Sequence, residues 1–183
     1  MGDAGRPASP QTVQLGLTVR YFLGLGSNLG RKRDNLSQAR RLLKKNGLRL
    51  LRTSAEYRTQ PVGDRNQPWF INQVLEAESG LEPSALLTLV KRLELKMKRT
   101  PGRRRGPRRI DIDILLAGRR IVSTPRLKVP HPRMTGRKFV LVPLCEIAPR
   151  ALHPVSGKTI RRLLRETNDQ SSLHKLRNRR WRN

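Results

Sequence analysis

"RIDIDILLAG", residues 109 to 118, decides how the chain is read. Ile110, Ile112 and Ile114 alternate with Asp111 and Asp113, which is the two-residue period of a strand. In that geometry the isoleucines share one face and the two carboxylates the other, with carboxylate-bearing Cα atoms about 6.6 Å apart. Asp is disfavoured in strands, so two of them on one rigid face need paired cations or a chemical task.

Working outward, this strand closes a β-α-β-β-α-β order. "TVRYFLGLG" (18–26) is rich in aromatic and branched residues and predicts the first strand, ending in a Gly-rich turn. "DNLSQARRLLKKNG" (34–47) follows with Leu36, Ala39, Leu42 and Leu43 at helical spacing, Asp34 as a start signal and Gly47 just past the end. "LRLLRTSAEYRT" (48–59) predicts a second strand and "QPVGDRNQP" (60–68) a turn. "WFINQVLEAES" (69–79) predicts a third strand with Phe70, Asn72 and Val74 on one face. Pro83 suits the first turn of a second helix, whose stripe is Leu86, Leu87, Val90, Leu93 and Met97. The order predicts an α+β fold, a ferredoxin-like α/β sandwich with a mainly antiparallel sheet and its helices on one face. "RRIVSTPRLKVPHPRM" and "KFVLVPLCEIAPRALHP" are too Pro-rich for central strands and predict loops, edges and a short helix.

With 183 residues, 36% of them apolar, the chain suffices for one packed domain. We expect that domain over 18–167, between a mobile N-terminal tail (1–17) and a basic C-terminal tail (168–183), in which "HKLRNRRWRN" (174–183) has a loose helical leaning. The first 16 residues carry no apolar signal region, and no run approaches a bilayer-spanning length, so no membrane role is expected. The lone Cys145 excludes an internal disulfide framework or a Cys-based zinc cluster and fits a reducing cytoplasm. Forty Lys and Arg against 13 Asp and Glu give a net charge of +27, which favours anionic partners. The cations concentrate in residues 91–109 and in the terminal "HKLRNRRWRN".

Two carboxylates on one strand face can hold a pair of Mg²⁺ ions against phosphate oxygens. The bland alternative is an ion-pair strip with Arg108 and Arg109. The preceding loop carries Arg99, Arg103, Arg104, Arg105 and Arg108, whose guanidinium groups match phosphates and can close over a polyphosphate. "GLGSNLGRKRD" (24–34) imitates a phosphate loop but fails both the Walker and the Rossmann spacing, so it reads as a tight strand-to-helix turn. "PHPRMTGRKF" places His131, Arg137 and Phe139 in a Pro-framed segment, where the first two can contact phosphates. His153 and His174 have no recognisable partners in sequence.

Taken together, "LGSNLG", "YRTQPVG…QPWFIN", "GPRRIDIDILL", "VPHPRM" with "RKFVLVPL", and "EIAP" resemble the 6-hydroxymethyl-7,8-dihydropterin pyrophosphokinase family of folate biosynthesis, over roughly residues 19 to 164. The resemblance implies transfer of pyrophosphate from MgATP to the pterin hydroxymethyl group, with release of AMP. It implies that Asp111 and Asp113 bind two Mg²⁺ ions and that Arg99 and Arg108 engage the ATP phosphates and assist transfer. Leu87, Glu94, Ile114, His131 and Arg137 match further ATP contacts. Phe70 and Phe139 match an aromatic pair around the pterin, and Thr59, Pro61, Val62 and Asn72 match the rest of its pocket. The implied protein is a cytoplasmic monomer that takes ATP and the pterin as its small-molecule partners. Arg105 stands where the family usually carries Trp, the Arg-rich loop is shorter and more basic, and Gln60 replaces a common Pro or Glu. The rival reading is a non-enzymatic, basic, ferredoxin-like nucleic-acid binder, which predicts exposed aromatics on the strands. The basic segments can also lend an enzyme weak, nonspecific nucleic-acid affinity.

Overall fold

The computed structural model describes residues 18–63, 66–98 and 106–177. The elements in chain order are β1 (Val19–Ser27), α1 (Lys32–Lys45), β2 (Arg49–Thr53), β3 (Tyr57–Thr59), β4 (Phe70–Ser79), α2 (Pro83–Lys96), β5 (Asp111–Ala117), β6 (Val122–Ser123), β7 (Lys128–Val129), α3 (Lys138–Ile147), α4 (Ile160–Glu166) and β8 (Leu173–Lys175). β1 lies between β5 and β4, antiparallel to both. Its central place follows from its sequence: only Arg20 is exposed, so both faces of the strand are covered. The main sheet runs β5-β1-β4-β3-β8, with β2 also on β4, and β6 and β7 form a separate pair. This is the ferredoxin-like order that the β-α-β-β-α-β pattern predicts.

The period of each helix sets the first core. Leu36, Ala39 and Leu43 of α1 and Leu86, Leu89, Val90 and Leu93 of α2 pack with Leu23, Leu25, Leu75, Ile110, Ile112 and Ile114. Pro83 opens α2, and Gly47, at φ 86°, lets the chain leave α1. The opposite face carries a second core, in which Val140, Leu141 and Leu144 of α3 and Ile160 and Leu163 of α4 meet Phe22, Val74, Leu115 and Leu116. Helices thus cover both faces. The expectation of helices on one face holds for α1 and α2; the short helix expected within the Pro-rich segments is α3, which with α4 covers the opposite face.

Four more local readings are corrected. The strand expected over 48–59 is two, because Ser54 interrupts it: its hydroxyl accepts from Val74 N at 3.0 Å, in place of a regular ladder bond. α1 begins at Lys32, so Asp34 lies in its first turn, where its charge suits the helix dipole, rather than before it. Leu87 is half-buried and packs against the core edge, while Leu89 takes the buried position. The helical leaning expected for 174–183 is overturned at its start, where His174 and Lys175 belong to a strand, Leu173–Lys175, paired to β3. Residues 1–17, 99–105 and 178–183 lie outside the described residues, and with them the proposed N-terminal tail, most of the Arg-rich loop and the end of the basic tail. Among the described residues, no helix is long and apolar enough to cross a membrane.

Candidate active site

Strand register builds the floor of a cleft on the α3 side of the sheet. Gly26 pairs with Asn72 on one side and with Asp111 on the other, and Gly24 pairs with Val74 and Asp113. Asn72 and Asp111 therefore stand in one row across three strands, with no side chain between them. The clearance is tight: a Cβ built on Gly26 would lie 2.8 Å from Asn72 Oδ1, and one on Gly24 would lie 3.4 Å from Leu115. Thr59, Gln60, Val62, Phe70, Gln73, Phe139 and Val140 complete the lining with Gly24, Leu25, Gly26, Asn72, Val74, Asp111, Asp113 and Leu115.

The carboxylates are positioned from beneath. Glu94, itself buried, accepts the Ile112 N–H at 2.7 Å and pairs with Lys91 at 2.9 Å, which pins the link between the two aspartates. Arg108 Nη1 pairs with Asp111 Oδ2 at 2.9 Å, and its guanidinium lies 5.8 Å from the Phe70 ring centre. Asn28 clamps the Arg108 backbone twice, accepting its N–H at 2.7 Å and donating to its carbonyl at 3.1 Å. Burial pushes the Asp113 carboxyl up, the Asp111 charge adds to this, and Lys91, Arg137 and Arg108 oppose it. A carboxylate held where its charge is penalised suits a cation, and Arg108 Nε is buried with no partner among the described residues, which suits an anion. Among the described residues no three His, Cys, Asp or Glu side chains converge into a metal cage. Two carboxylates completed by phosphate oxygens and water are a donor set that Mg²⁺ accepts.

The apolar half of the cleft has Phe70 at the start of β4 and Phe139 in the first turn of α3. Asn72 Nδ2 donates to Thr59 Oγ1 at 2.6 Å, which fixes the amide and leaves its oxygen toward Gly26. The arrangement offers a flat ring an aromatic slot and a polar edge. Arg137 reaches over Phe139, 5.4 Å from its ring centre. His131 sits in the same loop, and burial, with the Arg137 and Arg133 charges, lowers its pKa to about 4.

Of the residues expected from sequence, Thr59, Val62, Phe70, Asn72, Asp111, Asp113 and Phe139 line one cleft. Pro61 is buried beside it without lining it, and Gln60 takes that place. Ile114 faces the first core, on the opposite side of β5 from the aspartates, and Leu87 is on α2 at that core's edge. Arg99 lies outside the described residues. The sequence reading missed Asn28, whose motif it took only as a turn, and Gln73, which donates to Ser54 O at 2.8 Å and accepts from Arg40. β1 offers no exposed aromatic platform, since Tyr21 and Phe22 are both buried.

Comparisons with known proteins agree with this geometry. A sequence model described as 7,8-dihydro-6-hydroxymethylpterin-pyrophosphokinase matches residues 22–149. A 2-amino-4-hydroxy-6-hydroxymethyldihydropteridine pyrophosphokinase of Methylorubrum extorquens is 43% identical over 147 residues, covering 80% of this chain and 92% of its own. The Bacillus subtilis protein of that name is 42% identical over 127 residues, covering 69% and 76%. A mitochondrial folate synthesis bifunctional protein of Arabidopsis thaliana is 39% identical, and there this chain spans 76% of itself but 26% of the relative. The fold is also that of Plasmodium falciparum HPPK-DHPS, with a TM-score of 0.67 at 17% identity, over 83% of this chain and 44% of that one.

Proposed function

The chain belongs to the 7,8-dihydro-6-hydroxymethylpterin-pyrophosphokinase family, and from that premise we propose that the cleft between Phe70, Phe139 and the Asp111–Asp113 strand is where its reaction takes place. The protein is an enzyme of folate biosynthesis, a diphosphotransferase that moves pyrophosphate from ATP to 6-hydroxymethyl-7,8-dihydropterin. The observation that carries the site is the row Asn72, Gly26, Asp111, which sets a ring-binding edge and a phosphate-binding edge side by side on one rigid sheet.

In this reading the pterin lies between Phe70 and Phe139, with Thr59 and Asn72, and the backbone near Pro61 and Val62, against its polar edge. The ATP phosphates extend along Arg108, Arg99, His131 and Arg137. Two Mg²⁺ ions held by Asp111 and Asp113 would neutralise and align the triphosphate. Arg108 exchanges its bond to Asp111 for phosphate oxygens, and its unpartnered Nε gains an acceptor. The pterin oxygen then attacks the β-phosphorus in line as AMP departs. The protein's contribution is position and charge, since phosphoryl chemistry asks for little covalent help. Glu94 acts on neither substrate's reacting atoms: it holds β5 so that both aspartates keep their spacing.

The reading extends to a single catalytic unit over residues 18–177 that works as a monomer in the cytoplasm. The net charge of +27 supports weak, nonspecific affinity for nucleic acid through the basic segments. The test is product analysis with ATP and the pterin alcohol: AMP and pterin diphosphate are expected, and ADP as the product rejects the assignment.

A further inference from the structure

The segment that follows α4 touches both aromatic walls of the cleft, in each case at the residue just before the aromatic one. On one side Asp169 Oδ2 accepts the Lys138 N–H at 2.7 Å. Lys138 is the first residue of α3, and the helix has no cap from its own N-cap side chain, Arg137. Asp169 therefore caps from a distance the turn that carries Phe139. Its other oxygen accepts from Ser171 N at 2.8 Å, which fixes the carboxylate in place. On the other side the same segment becomes β8 and pairs Leu173 with Thr59, while Ser172 O accepts the Gln60 N–H at 3.0 Å. The His174 ring stacks on Trp69, with centroids 5.9 Å apart and an 18° tilt, and Arg58 lies 4.7 Å over the same indole. Trp69 immediately precedes Phe70.

We propose that Asp169–His174 is a positioning strap that sets the gap between Phe70 and Phe139, and so the fit of the pterin ring, by holding Lys138 at one wall and Gln60 and Trp69 at the other. This rests on the reading of that slot as the pterin site. No part of the strap touches the reacting atoms. Its effect is felt more in ring binding than in nucleotide binding, because of the groups assigned to the phosphates only Arg137 adjoins Lys138, while the carboxylate strand β5 is held separately by Glu94 and Asn28.

The test uses the full chain with Asp169→Ala, Asp169→Asn and His174→Ala, measuring kcat and the KM for each substrate by AMP release. Asp169→Ala raises the pterin KM about three- to tenfold, in line with a lost helix cap, while the ATP KM stays within about twofold. Asp169→Asn falls between the two, since one acceptor oxygen remains where there were two. His174→Ala, at an exposed ring whose removal leaves the core intact, raises the pterin KM about twofold or more. A pterin KM unmoved in all three variants, or pterin and ATP KM rising together, overturns the strap. A wild-type chain that forms no AMP overturns the reading of the slot itself, and the strap with it.

Discussion

Leu36, Leu43, Leu86 and Val90 lie against one face of the sheet, and Asn72, Asp111 and Asp113 stand on the other. The first face is sealed by two helices of 14 residues each, whose apolar spacing is local and redundant. The second face is sealed by α3 and α4 at Phe22, Val74, Leu115 and Leu116 and left open at the cleft, where Asn72, Asp111 and Asp113 stand beside Phe70 and Phe139. Stability thus rests mainly with the first face. The second carries an unfavourable carboxylate at Asp113 and an unpartnered donor at Arg108 Nε, which are costs that a ligand relieves.

Substitutions should separate the two faces. On the open face, Asp113→Ala removes a buried charge and a metal ligand at once. Turnover by AMP release should fall about a thousandfold, while the thermal midpoint stays level or rises. A large loss of folding would mean that the aspartate is structural. On the sealed face, Leu86→Ala should cost about 2–5 kcal/mol of unfolding free energy by denaturant titration, with activity per folded molecule unchanged. A loss of activity without a loss of stability there would break the contrast.

Gly26→Ala sharpens the boundary within the cleft. The added Cβ, 2.8 Å from Asn72 Oδ1, must displace that amide, so the pterin KM should rise about tenfold with little change for ATP. Gly24→Ala, whose Cβ meets the Leu115 side chain at 3.4 Å, should do less. A pH dependence is expected as well. The His131 pKa is lowered from 6.5 to about 4, so the fold favours the neutral ring. The unfolded chain then binds the proton first, and stability is lost as pH falls from about 6.5 toward about 4. His131→Gln should flatten the curve of unfolding free energy over that window; identical curves would remove His131 as a buried neutral ring.

The legibility of the chain follows the same division. The order of strands and helices, the stripe Leu86, Val90, Leu93 and the shared face of Phe70, Asn72 and Val74 could be read because each depends on neighbours a few residues away. Asp111 and Asp113 stood out because strands rarely carry such a pair. What sequence hid was non-local. Asn28 serves Arg108 across 80 residues, and Asp169 caps a helix that begins 31 residues earlier. Neither partner can be inferred from spacing. α3, with Pro143 inside it, was legible only as a short helix of unplaced bounds, and β8 was hidden by a basic composition that suggested a solvated tail with helical leaning. The resemblance to a family named most of the cleft residues, but not the side of β5 on which Ile114 lies or the replacement of Pro61 by Gln60 in the lining.

The account depends most on the open edge of β5 gathering a divalent cation together with the nucleotide. Mn²⁺ used in place of Mg²⁺, with a nonhydrolysable ATP analogue, reports this by electron paramagnetic resonance. The wild-type chain should bind the ion only when the analogue is present, and the Asp111→Asn, Asp113→Asn double variant should leave it on the unbound nucleotide. A double variant that captures the ion as the wild type does would contradict the account.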